Sequence, residues 1–98
     1  MSNNELKTKS KNKVARPKQY VVMFHNDDFT PFDFVIAVLM QIFKIAQDEA
    51  ERLTMDIHKK GTATHGPMTH EVAETRVTLA MDWAKTYEMP FKCTIEEG

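Results

Sequence analysis

Residues 18–35 read KQYVVMFHNDDFTPFDFV, and this single stretch passes from a strand through a turn into a helix. Residues 18–25 alternate in the way typical of a β-strand, with Tyr20, Val22 and Phe24 on one face. Because the opposite face is also mostly apolar, we expect this strand either to be covered on both sides or to lie at the centre of its sheet.

The polar residues in the middle of this stretch predict a turn followed by the start of a helix. Residues 26–28 are Asn-Asp-Asp, whose side chains bond their own backbone in tight turns. We expect Thr30 to cap the helix, Pro31 to take its first position and Asp33 to favour its positive end. The inner stripe of this helix is then formed by residues at helical spacing: Phe34, Val35, Val38, Leu39 and Ile42.

A second helix is predicted from about residue 47 to residue 60. Acidic residues occupy its first turns, basic residues its last turn, and Gly61 follows as the cap. Residues 62–65 are prone to form a short strand, which the Gly66-Pro67 pair should close. The inner stripe of the second helix consists of Ala50, Leu53, Thr54 and Ile57.

A third helix is predicted from a Thr69 cap to about Tyr87, and a final strand over residues 91–96. The fold class is therefore α+β: a two-layer β-α-α-β-α-β sandwich of a three-stranded antiparallel sheet with three helices on one face. The third helix is expected to turn five side chains towards the core: Ala73, Val77, Ala80, Met81 and Ala84.

Composition limits the chain to one domain of 98 residues, with 42% hydrophobic and 28% charged residues. We expect residues 1–17 to form a flexible basic extension and residues 18–98 to form the core domain. The net charge of -1 argues against a protein built to coat nucleic acid. The extension carries five basic residues against Glu5: Lys7, Lys9, Lys11, Lys13 and Arg16.

The cysteine content and the absence of long apolar stretches bear on location. Cys93 is the only cysteine, so an internal disulfide is impossible, as is usual in a reducing compartment. No signal sequence and no membrane-spanning stretch are visible in the sequence. We therefore expect a cytoplasmic protein. Nothing demands an oligomer, so a monomer is expected.

Three hydrogen-bond acceptors are predicted to converge near the first turn. If the first two helices pack antiparallel, His58 lies close to Asn26 and Asp27. An amide oxygen, a carboxylate and an imidazole nitrogen suit a cation with several donors, such as a primary ammonium. Apolar side chains from both helices could line a pocket beside it. An ammonium next to an apolar side chain is the free start of a polypeptide.

The run Asn26–Val35 closely resembles the signature of the ClpS adaptors, and so do His58 followed by Gly61, residues 71–76 and residues 90–94. The resemblance covers about residues 18–96. It implies a fold similar to the C-terminal domain of the ribosomal stalk protein. It also implies an adaptor that binds N-degron peptides and proteins beginning with Leu, Phe, Tyr or Trp. Such adaptors deliver them to the AAA+ unfoldase ClpA, which feeds the ClpP peptidase.

Carried over by position, the resemblance assigns Asn26, Asp27 and His58 to the α-amino group of the substrate. It assigns Glu71 and Arg76 to docking on the ClpA N-terminal domain, and the basic extension to engagement of the unfoldase. The walls of the side-chain pocket would be Thr30, Phe32, Val35, Thr54, Ile57 and Phe91.

Thr54 departs from the family pattern. The family usually has a methionine there, which acts as a gate against β-branched first residues. The pocket is therefore predicted to be wider or differently shaped, and to accept Ile or Val.

Simpler interpretations remain open for each of these residues. Residues 26–28 could be a plain turn, and His58 could be structural or solvated. The apolar pocket residues could belong to the core, and Glu71 and Arg76 to a solvated helix face.

The alternative functions are a metal-binding or nucleic-acid-binding small domain. Neither is favoured, because the candidate ligands lack a strong ligand spacing and the body of the protein is acidic. No enzyme activity and no cofactor are expected, since Cys93 has no adjacent acid or histidine and is expected to be a small buried core residue in its strand. The metal-ligand candidates are His25, Asp27, His58, His65 and His70.

Overall fold

A computed structural model describes residues 18–98, and the predicted basic extension lies outside these residues. The order of elements is β-α-α-β-α-β, as predicted. The sheet is antiparallel with strand order β2-β1-β3. The elements are β1 (Tyr20–His25), α1 (Phe32–Gln41), α2 (Gln47–Lys60), β2 (Thr62–Met68), α3 (His70–Thr86) and β3 (Lys92–Glu97).

Strand β1 is the centre of the fold, because both other strands pair with it. This confirms the expectation that β1 lies at the centre of its sheet. Val22 and Phe24 are completely buried beneath the helices. The ring of Phe24 contacts the edge of Phe43, with 4.9 Å between ring centroids, and also lies near Phe91. The core therefore continues up to the end of β1, where the polar turn begins.

Helix α1 begins differently from the prediction. Pro31 is the capping residue, the first helical residue is Phe32, and no side chain caps the helix. Thr30 is not the cap, because its hydroxyl group donates a hydrogen bond to Asp27 Oδ2 instead. Asp27 accepts the hydrogen bonds of the turn, so the Thr30 hydroxyl stabilises the turn and does not cap the helix.

Helix α2 begins and ends at the residues predicted from the sequence. Lys44, in the loop between α1 and α2, has φ of 61°, a left-handed conformation. Gly61 has φ of 90° and donates its N–H to the carbonyl of Ile57, so the predicted C-cap is confirmed.

Strand β2 runs three residues further than predicted, through Gly66 and Pro67 to Met68. Proline is tolerated here because β2 is an edge strand, where a missing N–H removes no ladder hydrogen bond. At Gly66, φ is 151° and a Cβ atom would lie 3.0 Å from the carbonyl oxygen of Tyr20. The Gly-Pro pair therefore permits a close strand approach instead of ending the strand.

Helix α3 packs on β1 and β3 through small residues. Thr69 accepts a hydrogen bond from the N–H of Val72, so its predicted cap is confirmed. The prediction for Met81 was wrong, because 36% of this residue is exposed. Val77 and Trp83 are partly buried against the same core. The fully buried residues of the helix form a narrow stripe of alanines: Ala73, Ala80 and Ala84.

Strand β3 begins at Lys92, one residue later than predicted, and Phe91 just before it is buried. Cys93 is also buried, and burial raises the pKa of its thiol to about 12. Its expected role as a small apolar core residue is consistent with this environment. No helix within residues 18–98 is long and apolar enough to cross a membrane.

Arg76 ties α3 to the loop between α1 and α2. Its guanidinium group donates a hydrogen bond of 3.4 Å to the carbonyl of Phe43. The ring of Phe43 in turn contacts the edge of the His65 ring on β2. Burial lowers the pKa of His65, and the positive charge of Arg76 lowers it further.

This arrangement predicts that acid destabilises the fold through His65. Its pKa in the folded protein lies below the usual histidine value of about 6.5, so below about pH 6.5 the unfolded chain binds the proton more readily. We expect the free energy of unfolding, measured with urea, to fall as the pH decreases from 7.5 to 5. His65→Gln should make this decrease smaller, and Arg76→Gln should remove part of it. An unchanged pH dependence in His65→Gln would contradict the prediction.

Candidate functional site

A small pocket lies where the end of β1, the start of α1, the middle of α2 and Phe91 meet. Its free volume is about 10 Å³, roughly the space for one water molecule. The structure brings together eight of the nine residues predicted for the amine site and the apolar pocket. The lining residues are His25, Asn26, Asp27, Thr30, Phe32, Val35, Thr54, Ile57 and Phe91.

His58 is the predicted residue that does not line the pocket itself. It lies at the exposed end of α2, and its ring contacts the edge of Phe32 with 5.1 Å between centroids. The N–H of Asn26 donates a 2.9 Å hydrogen bond to the carbonyl of Gly61. This backbone bond holds the end of α2, which carries His58, against the turn.

Asp27 is the organising residue of the turn. Its Oδ1 accepts the backbone N–H groups of Phe29 at 2.8 Å and Thr30 at 2.7 Å, and its Oδ2 accepts the Thr30 hydroxyl at 2.8 Å. Burial raises the pKa of Asp27, but these three hydrogen bonds together lower it below its usual value. The carboxylate is therefore ionised at neutral pH and can still accept a bond at Oδ2.

The other two polar groups are open to a ligand. Within residues 18–98, neither the Asn26 side chain nor the His58 ring makes a hydrogen bond. Both residues are exposed, Asn26 at the pocket and His58 beside the Phe32 wall. The site therefore combines one anionic acceptor that is already oriented with an amide and an imidazole that are not yet engaged.

The floor and walls of the pocket are apolar. Val35, Ile57 and Phe91 are buried and belong to the hydrophobic core. Thr54 is also buried, and its hydroxyl donates a 2.7 Å hydrogen bond to the carbonyl of Ala50 in the preceding turn. Because that bond satisfies the hydroxyl, Thr54 adds no unpaired polar group to the pocket. Phe32 is 43% exposed, so it is the wall nearest to solvent.

His25 lines the pocket but was considered only as a metal ligand in the sequence analysis. Its ring nitrogen Nε2 lies 2.9 Å from the Thr94 hydroxyl on β3. The signal in the sequence was its position as the last strand residue directly before Asn26. Periodicity could not show this, because strand alternation places its side chain opposite Phe24.

Glu71 and Arg76 lie apart from the pocket-lining residues, in the first half of α3. With Val72 and Thr75 they line a shallow groove of about 280 Å³. Arg76 is half-buried through its contact with Phe43, so it has a structural role besides any contact with a partner.

A metal centre has no support among the described residues. Residues 18–98 contain no group of three or more His, Cys, Asp or Glu side chains that could hold a metal ion. The predicted candidates are instead spread over several elements: His58 faces Phe32, His65 faces Phe43, and His70 contacts Tyr20.

Three comparisons with known proteins agree with one another. Residues 15–94 match the family model described as "ATP-dependent Clp protease adaptor protein ClpS". A ClpS adapter protein of Rhodospirillum centenum is 42% identical over 91% of this chain and 82% of its own length. That of Parvibaculum lavamentivorans is 43% identical over 91% and 81%. The structure of Agrobacterium tumefaciens ClpS2 bound to L-phenylalaninamide is similar with a TM-score of 0.81 and 37% identity, covering 85% of this chain and 100% of that one.

The hydroxyl of Thr30 is predicted to keep Asp27 ionised and in place. Thr30→Val retains the shape and removes one donor to the carboxylate, so the pKa of Asp27 should rise. The fold should lose about 1 kcal/mol of stability. The pKa can be followed from the side-chain carboxyl signal of Asp27 in an NMR titration.

Thr78→Val is the matched control, because Thr78 is exposed on α3. It should change neither quantity. A Thr30→Val protein with an unaltered Asp27 titration would show that the hydroxyl does not stabilise the carboxylate.

Proposed function

The chain belongs to the ClpS family of ATP-dependent Clp protease adaptor proteins, and on this basis we propose that it binds N-degron substrates by their first residue. The observation that carries this proposal is the joining of an ionised carboxylate to an apolar pocket at one turn. The ligand in the related ClpS2 structure is L-phenylalaninamide, a single amino acid with a free α-amino group and an aromatic side chain.

The α-amino group would be held by Asp27, Asn26 and His58. Its ammonium has three donors, and these residues supply a charged carboxylate, an amide oxygen and an imidazole nitrogen. Asp27 Oδ2 is already oriented by Thr30, so little ordering is needed there. Acetylation of the amine removes both the charge and two donors, so a blocked N-terminus should not bind.

The first side chain would enter between α1 and α2. The pocket has space for about one water molecule, so its wall must move to admit a leucine or phenylalanine. Phe32 is the wall most exposed to solvent and contacts only the exposed His58 ring among aromatic residues of the described chain. Displacing Phe32 therefore disturbs the core least, and we propose that it opens the pocket.

The expected affinity is modest. Burying one leucine or phenylalanine side chain contributes about 1.5–3 kcal/mol. Each charge-assisted hydrogen bond to the amine contributes roughly 1.5–3 kcal/mol. With two or three such hydrogen bonds, the sum reaches about 8 kcal/mol before ordering costs, which corresponds to micromolar binding. Such binding suits an adaptor, which must release its substrate.

Delivery would be to the ClpA unfoldase, with the groove at Glu71 and Arg76 as the docking face. The groove combines both charges with the partly exposed Val72 side chain. Charged residues around an apolar contact are typical of a transient protein interface. We propose that the protein acts there as a monomer and performs no catalysis itself.

Binding of labelled peptides that differ only at the first residue tests the amine site. Leu and Phe peptides should bind with micromolar Kd in fluorescence anisotropy, whereas Ala and acetyl-Leu peptides should bind much more weakly. His58→Ala should weaken Leu binding about tenfold or more, because one hydrogen bond to the amine is lost. Glu74→Gln, on the exposed side of α3, serves as the control. Equal binding of free and acetylated Leu peptides would refute the proposal.

The Thr54 hypothesis is tested with the same peptides. If Thr54 widens the pocket, Ile and Val peptides should bind more tightly than the Ala peptide. Thr54→Met should remove this difference while preserving Leu binding. If Ile and Val bind no better than Ala to the unaltered protein, the hypothesis is wrong.

A further inference from the structure

Phe29 is an aromatic residue that the fold does not use. It is 79% exposed, the largest exposure among the large hydrophobic residues of the described chain. It belongs neither to the core nor to the side chains packed against it. Other aromatic residues near the surface, such as Tyr87, contact neighbouring rings, whereas no such contact involves Phe29 within residues 18–98. Packing therefore does not explain a phenylalanine here.

The position of Phe29 is nevertheless fixed by its backbone. Its N–H donates to Asp27 Oδ1 at 2.8 Å, and the next N–H, of Thr30, donates to the same oxygen at 2.7 Å. Asp27 and Thr30 both line the pocket, and Phe29 lies between them in the chain without lining it. The turn thus presents an apolar ring to solvent beside the predicted amine site.

A bound polypeptide would pass this ring. With its α-amino group at Asp27 and its first side chain in the pocket, the Cα atom of its second residue lies about 3.8 Å from that of the first. The backbone nitrogen of Phe29 is only 2.8 Å from the Asp27 carboxylate. The Phe29 backbone therefore lies beside the proposed amine site, and the second residue of a substrate held there starts one Cα step from that site.

We propose that Phe29 forms a second subsite, which contacts the side chain of the substrate's second residue and favours an apolar or aromatic one. This inference rests on the proposed N-degron function and adds a specificity determinant to it. Phe29 lies between Asp27 and Thr30, which both line the pocket, and its backbone N–H is held by Asp27, so contact with the ring costs little ordering of the backbone. An apolar second residue covers the ring, whereas an alanine leaves it exposed.

The test uses two labelled peptides that begin Leu-Ala and Leu-Phe and are otherwise identical. The Leu-Phe peptide should bind about two- to tenfold more tightly, as expected for one aromatic contact. Phe29→Ala should reduce this preference to near unity and leave Leu-Ala binding almost unchanged. Phe29→Tyr, which keeps the ring, should retain the preference.

Leu79→Ala is the matched control, because Leu79 is 51% exposed on α3 and does not line the pocket. It should leave the preference intact. Circular dichroism checks that each variant remains folded.

The outcomes separate this inference from the function it rests on. If Leu-Ala and Leu-Phe both bind but bind equally, the second subsite is refuted and the amine site stands. If Phe29→Ala keeps the preference and instead weakens binding of the unfoldase N-terminal domain, the ring serves the partner and the inference is wrong. If no free-amine peptide binds, the proposed function fails and the subsite fails with it.

Discussion

Asp27 accepts three hydrogen bonds from two residues of its own turn, and the rest of the site depends on this arrangement. The bonds fix the path from β1 into α1 and orient the carboxylate towards the pocket. They also stabilise its charged form against the cost of partial burial. A single side chain therefore has two duties: it builds the local structure and supplies a charge at the pocket.

The second constraint is the backbone bond between Asn26 and Gly61. Gly61 has the positive φ needed to end α2, and its carbonyl then accepts the N–H at the start of the turn. This joins the end of α2 to the end of β1, so His58 and Phe32 face each other although they are distant in sequence. The apolar walls lie directly beneath, in the same core that holds the sheet.

Much of this was accessible from the sequence, because it depends on local chemistry and on simple periodicity. The element order, the Gly61 and Thr69 caps and the burial of Cys93 were predicted, and eight of the predicted site residues line one pocket. The errors arose where tertiary contacts override local preference. Threonine is a residue type that often caps helices, yet the Thr30 hydroxyl donates its hydrogen bond to Asp27 instead. Gly66 and Pro67 are typical of a strand end, yet an edge strand accommodates both.

Other features had no signal in the sequence at all. Helical spacing places Met81 near the inner stripe, but only the alanines of α3 are fully buried and Met81 is exposed. The tie between Arg76 and Phe43 spans 33 residues and leaves no periodic trace. The small volume of the pocket and the edge contact between Phe32 and His58 are details of packing that composition cannot specify.

The burial of Cys93 has a practical consequence for experiments on this protein. Thiol reagents attack the thiolate, and a group with a pKa of about 12 and almost no exposed surface provides very little of it at neutral pH. Since this is the only cysteine of the chain, a cysteine introduced at an exposed site such as Lys85 would be the sole reactive thiol. A maleimide dye or spin label could then be attached at one chosen position while the native core stays intact.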